Sequence, residues 1–225
     1  MPDALPSAPT IGEATYLRLK QDIIACTLMP GHKLRLDALK EQYEAGISTL
    51  REILNRLASE SLVVAEGQKG FAVAPATAQD LREIADLRLL LESHALELSF
   101  ARGDLDWEGR VVAAHYKLAA TERKLLAGQE RHTINWVRYD FAFHNALISA
   151  CGSRVLLDMH ASVFDRFLRY HMLGASFRGK GVVDDHKALF EIALKRDTAG
   201  ALAMLASHVN RGVAHVLSTG RLDPA

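Results

Sequence analysis

Apolar residues recur along this chain in two rhythms. From residue 14 to 75 the segments are short and varied. In "TYLRLKQDIIACTL", Tyr16, Leu19, Ile23 and Ile24 fall at helical spacing. "MPGHKL" then breaks the helix, with Pro30 and Gly31 side by side. "LDALKEQYEAG" reads as a short helix, with Asp37 as its N-cap and Gly46 following its end. "STLREILNRLASESL" begins another, with Ser48 as N-cap and Leu50, Ile53, Leu54 and Leu57 on its buried side. "LVVAEGQKGFAVA" reads as two short strands around a Gly-containing turn, closed by Pro75.

From residue 76 to 218 the period is almost entirely helical. Thr77 caps "LREIADLRLLLESHALELSFARG", and Asp104 starts "DLDWEGRVVAAHYKLAATERKLLAG". "WVRYDFAFHNALISACG" follows, then "SRVLLDMHASVFDRFLRYHMLG" capped by Ser153, "VVDDHKALFEIALKRD" and "TAGALAMLASHVNRGVAHVL". About six helices joined by short loops predict an antiparallel bundle. The Pro-, Ala- and Ser-containing residues 1–13 read as a disordered lead-in, and residues 219–225 as a tail. The predicted fold is therefore mainly α, in two parts.

Three short helices followed by a hairpin describe a winged helix-turn-helix. Its second paired helix would lie in a DNA major groove, and the hairpin would reach adjacent DNA. Ser48, Thr49, Arg51 and Arg56 on that helix, with Lys69 in the hairpin turn, are the candidate contacts. The same pattern also suits a small helical domain with no DNA role. Charge does not favour DNA by itself. The whole chain has a formal net charge of zero, and residues 1–76 carry eight Lys or Arg against nine Asp or Glu. Arg51, Arg56 and Lys69 would have to line one face.

The bundle stripes carry unexpected polar groups. Val137, Phe141, Leu147, Ile148 and Cys151 share a stripe with Asp140 and His144. His186 precedes Leu189 by one turn on its own apolar face, and His208 lies among Ala201, Leu205, Val209, Gly212 and Val216. A buried carboxylate is costly unless paired. One Asp and three His are a plausible shell for a divalent ion, which would compensate that charge. The bland alternative is a set of core histidines, each with one hydrogen bond. His160, His171 and His215 are other inward candidates. Arg88 sits within the apolar face Leu81, Ile84, Leu91, Ala95 and Leu98, with Glu92 one turn later. It is either half of an internal ion pair or a fork waiting for an acid.

These residues resemble the GntR family of bacterial transcription regulators, in the FadR-type branch with a C-terminal FCD ligand-binding domain. "STLREILNRLASESLV" resembles the recognition helix and "GQKGFAVA" the wing, while "DLRLLLE" resembles the opening FCD helix. "DFAFH", "DDHKALFEIAL" and "AMLASHV" match the FCD metal-ligand pattern at Asp140, His144, His186 and His208. Thr49 stands where the family often has Pro, Ile53 where it often has Ala, and Ile47 where many members have Arg. The resemblance implies a ligand-responsive regulator, a repressor of a catabolic operon, binding a palindromic operator as a homodimer. It implies one divalent ion (zinc, manganese or nickel), and a small organic acid effector near Arg88.

A metal-dependent hydrolase is the alternative from another class. It would need a general base near the ion, and Asp184 and Asp185 are nearest in sequence. No run approaches the ~20 apolar residues of a membrane span. With neither an apolar leader nor more than two cysteines, Cys26 and Cys151, the expectation is a cytoplasmic protein with reduced thiols.

Overall fold

The computed structural model describes residues 10–67, 70–174 and 177–222. The chain forms two compact units that part between Ala76 and Thr77.

In the first unit, Thr10 caps helix α1 (Ile11–Ile24) by accepting from the Glu13 N–H. The helix thus starts inside the stretch expected to be a disordered lead-in. Helices α2 (Leu36–Tyr43) and α3 (Ile47–Ser59) form the helix-turn-helix. Two expected caps are displaced. Arg35, not Asp37, is the N-cap of α2, and Gly46, not Ser48, is the N-cap of α3. Asp37 and Ser48 lie in first turns instead, where Asp37 still faces the positive end of its helix. Glu44, in the left-handed conformation at φ 53°, ends α2 and makes the turn. The hairpin consists of β2 (Val63–Ala65) and β3 (Phe71–Val73). A third strand, β1 (Lys33–Leu34), pairs antiparallel with β3, so the sheet order is β1-β3-β2. "MPGHKL" therefore contains a strand end as well as a break; two residues are too short to show a period-2 signal. Leu19, Ile23, Leu50, Leu54 and Leu57 fill the core between helices and sheet.

The second unit is a bundle of six α-helices among the described residues: α4 (Ala78–Arg102), α5 (Leu105–Leu126), α6 (Thr133–Ile148), α7 (Arg154–Leu173), α8 (Lys180–Leu194) and α9 (Thr198–Ser218). A short 3₁₀ turn, Glu130–His132, precedes α6. Thr77, Asp104 and Ser153 are the N-caps of α4, α5 and α7, as their sequence positions predict. Helix α4 packs on α6, α7 and α9, while α5 packs on α6 and α8. On α4, Leu91 and Leu98 are only half-buried, and the inner stripe runs through Ile84, Arg88, Glu92, Ala95 and Ser99. The helix is polar on the side where the bundle is deepest.

Candidate functional site

Helix α6 carries the first pair of functional side chains. Trp107 of α5 locks its far end: the indole Nε1 donates to the carbonyls of Ala146 (3.0 Å) and Leu147 (3.2 Å). Asp140 and His144, one turn apart, then face the interior with Val137, Phe143 and Leu147. His186 on α8 and His208 on α9 are buried opposite them. One ligand atom from each of the four lies within 4.8 Å of all the others.

The three imidazoles are oriented for ligation. Each directs its Nδ1 at a carboxylate: His144 at Glu92 of α4, His186 at Glu122 of α5 (2.6 Å), and His208 at Asp185 of α8 (3.3 Å). With Nδ1 so engaged, the Nε2 atoms are left for the interior. His186 Nε2 lies 2.9 Å and His144 Nε2 3.9 Å from Asp140 Oδ1. Neither nitrogen has a hydrogen-bond partner, although both are buried. Buried polar atoms that converge without bonding one another are what an ion would satisfy. The oxygen-plus-nitrogen donor set fits a divalent transition metal.

Electrostatics agree with the geometry. Burial pushes the Asp140 carboxyl up, but the His186, His144 and His208 imidazoles outweigh it and hold it well below the usual range. Glu92 is likewise buried, and Arg88 and His144 keep it ionised. Burial lowers His144 and His208, so both favour the neutral, ligating form. His186 goes the other way. Burial opposes its charge, yet Asp140 and Glu122 on either side raise it to about 9. The two carboxylates thus favour a positive charge at His186.

Of the sequence candidates, Asp140, His144, His186 and His208 come together. His160 does not join them; its Nε2 sits 3.1 Å from Glu92. His171 is buried along the adjacent cavity, and burial pushes it down to about 3. His215 is half-buried near the end of α9. Arg88 is chiefly an ion-pair partner: its Nε donates to Glu92 at 2.8 Å, and its guanidinium lies 4.2 Å from the Phe164 ring centre. It also lines a cavity of about 10 Å³ beside Asp140 and His208. Asp184 is tied to Lys180 at the surface, and Asp185 to Arg211 and His208, so neither stands ready as a general base. Sequence reasoning missed Glu122 and Arg178. Glu122 was findable, because it continues the α5 stripe of Val111, Leu118 and Leu125 at helical spacing. Arg178 lies outside any helix and carries no periodic signal.

The first unit presents a second candidate surface. Ser48 and Arg51 are exposed and Thr49 half-exposed on the first turns of α3. Arg51 borders a groove of about 620 Å³ with Lys33, Arg35 and the hairpin residues Ala65 and Gly70. Arg56 does not join it. Five residues further on, about 140° around the helix, it pairs with Glu13 at 2.9 Å and covers the Tyr16 ring at 3.5 Å. Lys69 lies outside the described residues. The cations that gather on one face are therefore Arg51, Lys33 and Arg35, with Lys33 on the strand that the periodicity did not reveal and Arg35 at the cap of α2 just after it.

Comparisons with known proteins agree with both units. Residues 11–73 match the profile described as bacterial regulatory proteins, gntR family, and residues 83–211 match the FCD domain. The chain is 34% identical to the HTH-type transcriptional repressor GlaR of Escherichia coli K12, over 86% of this chain and 90% of that protein. It is 32% identical to the HTH-type transcriptional regulator BphR of Paraburkholderia xenovorans LB400, over 98% of this chain and 91% of that one. Among solved structures, E. coli McbR/YncC superposes with a TM-score of 0.78 at 22% identity, covering 94% of this chain and 99% of its own. At that identity the likeness speaks for the fold alone.

Proposed function

The chain belongs to the GntR family of bacterial transcription regulators, with an FCD domain following its winged helix-turn-helix, and from that premise we propose that it is a metal-dependent, acid-responsive repressor. It is a transcription regulator and not an enzyme. Members of the family bind DNA operators, and FCD domains bind small-molecule effectors. GlaR is named a repressor, and that name supports the same direction of control here.

In this reading Ser48, Thr49 and Arg51 meet the major groove, Lys33 and Arg35 meet phosphate beside them, and Lys69 serves the wing. Arg56 instead ties α1 to α3. A homodimer would match a palindromic operator. Asp140, His144, His186 and His208 would hold one divalent ion (zinc, manganese or nickel), with Glu92, Glu122 and Asp185 orienting the imidazoles. When bound, the ion supplies a positive anchor for an acidic effector. Arg88 borders the same cavity and adds positive potential there. The effector can alter DNA affinity only by binding two arrangements of the regulator unequally. The observation that carries the proposal is the convergence of four ligand atoms, each imidazole braced by its own carboxylate.

The test is DNA binding to the chain's own upstream region, with metal-loaded and chelator-stripped protein, in a screen of organic acids. Sedimentation of the complex gives its stoichiometry. The proposal expects two chains per site and an acid that releases DNA only from loaded protein. Tight one-chain complexes, or release that ignores the metal, would count against it.

A further inference from the structure

Helix α3 buries one stripe and leaves its first residue outside. Leu50, Ile53, Leu54 and Leu57 are packed into the core of the first unit. Ile47 stands three residues before Leu50 and seven before Leu54, at the spacing that continues this stripe. It is nevertheless 40% exposed. Among the described residues of α2 and α3, it is the one large apolar side chain that is exposed. The start of the helix does not use it. Gly46 is the N-cap, and the two positions that staple a helix start are held by Ala45 and Leu50, both buried. At the first helical position a branched apolar side chain neither caps the helix nor complements its positive end. Much of its surface has nothing within the unit to pack against.

Its neighbours show which surface it belongs to. Ser48 is exposed, and Arg51, one turn later on the same side of the helix, borders the groove of Lys33 and Arg35. Helical side chains lean towards the N-terminus, so Ile47 projects off the leading end of α3. In a helix-turn-helix, the N-terminal residues of the second helix are those that meet base edges. The major groove offers a branched hydrocarbon one apolar group, the C5-methyl of thymine. The other base edges present donors and acceptors there. Opposite those, Ile47 would strip water from polar atoms and return no hydrogen bond.

We propose that Ile47 is a specificity-determining residue of the DNA face, and that it packs on the C5-methyl of a thymine in the major groove of the operator. This rests on the reading of α3 as the recognition helix and deepens it to one base. The contact removes two hydrocarbon surfaces from water and selects thymine over cytosine, the pyrimidine that lacks the methyl. Ile47 and Arg51 are ~6 Å apart along the helix axis, close to two base-pair steps of ~3.4 Å each. The thymine should therefore lie within about two base pairs of the base that Arg51 reads.

The experiment selects binding sites from random-sequence duplexes with the full chain, then measures affinity for the selected site by fluorescence anisotropy at fixed salt. Each thymine of that site is replaced in turn by uracil, which differs only in lacking the C5-methyl. One replacement should weaken wild-type binding roughly threefold to fivefold, the size expected of one buried methyl group. Ile47→Ala should bind the selected site more weakly and show a uracil penalty there of no more than about 1.5-fold. Ile47→Arg, put through the same selection, should replace that thymine with guanine, whose O6 and N7 suit a guanidinium. Uracil tolerated by the wild type at every thymine overturns the proposal, as does a penalty that Ile47→Ala keeps in full. So does a methyl-sensitive thymine more than about three base pairs from the position that Arg51→Ala relaxes. If Ile47→Ala melts below the wild type, Ile47→Val makes the same comparison and should lose part of the penalty. Arg51→Ala separates the two readings. If it relaxes one position while uracil is tolerated throughout, α3 reads DNA and the role of Ile47 alone is rejected. If neither Arg51→Ala nor Ile47→Ala alters the selected sequence, or if selection enriches none, the recognition-helix reading falls as well.

Discussion

Asp140 is a carboxylate with three imidazoles around it and, among the described residues, no Lys or Arg in ion-pair contact with it. That makes the residue dependent on either a proton on His186 or an ion. In the proposed reading, the carboxylates behind the imidazoles would set how tightly an ion is held. Glu122→Gln removes the carboxylate charge that faces His186 Nδ1 while keeping the shape. It should weaken metal binding about 10–100-fold, read by competition with a chromogenic chelator; unchanged affinity would mean that Glu122 only fills space. The same groups define a pH profile for stripped protein. His171 is held neutral down to about 3, against 6.5 when exposed. Its contribution is present above pH 6.5 and fades as pH falls towards 3, because the unfolded chain then binds more protons. Asp140 and Glu92, both depressed, are lost in the same direction at lower pH. His186, raised to about 9 from 6.5, contributes below 6.5, and that contribution is lost as pH rises through 9. The melting temperature of stripped protein should peak between these limits. Added metal should remove most of the alkaline fall, since an ion replaces the proton on His186. A stripped protein as stable at pH 10 as at pH 7 would contradict that assignment.

At the scale of the element, the site depends on how α4 to α9 are spaced. Gly103 ends α4, and a Cβ there would meet the Trp107 ring at 2.5 Å and the Ser99 carbonyl oxygen at 2.9 Å. Its φ of −59° is ordinary, so close approach is the constraint, and not backbone freedom. Trp107 is also the residue that holds the end of α6. Gly103→Ala should therefore cost about 1–3 kcal/mol in urea unfolding and also weaken the metal site. A loss of stability with unaltered metal affinity would show that α6 is positioned without Trp107. In the first unit, Arg56 joins α3 to α1 through Glu13 and the Tyr16 ring. Arg56→Ala should lower stability by up to about 1 kcal/mol, since the pair is half-exposed. Its effect on DNA affinity should be small compared with that of Arg51→Ala.

For the whole molecule, neutrality does not preclude a DNA-binding face. The formal charge sums to zero, yet Lys33, Arg35 and Arg51 border one groove. Arg51→Ala should cost about 1–3 kcal/mol of operator affinity if it reads a base. Arg35→Ala should weaken all sequences evenly and reduce the salt dependence by about one counterion. Gel-shift titrations at several salt concentrations distinguish the two. If neither variant changes affinity, the groove is not the DNA face.

The local pattern by itself determined the helices and some of their ends. Thr77, Asp104 and Ser153 are legible because a cap is a bond between residues three apart, independent of the rest of the fold. The four metal candidates were legible for a related reason: each is a polar residue on a stripe that packing must bury, and periodicity reports burial. The tertiary structure decided what the stripe cannot encode, which is the partner across the core. Glu92 was visible beside Arg88, but its grip on His144 spans 52 positions, and that of Glu122 on His186 spans 64. The placement of Arg56 against α1 and of β1 against β3 are likewise long-range choices. Arg178 is the extreme case. No period places a residue between helices, and its burial follows only from where α7 and α8 end relative to α9, so a pocket wall there is a property of the packed bundle and of no segment within it.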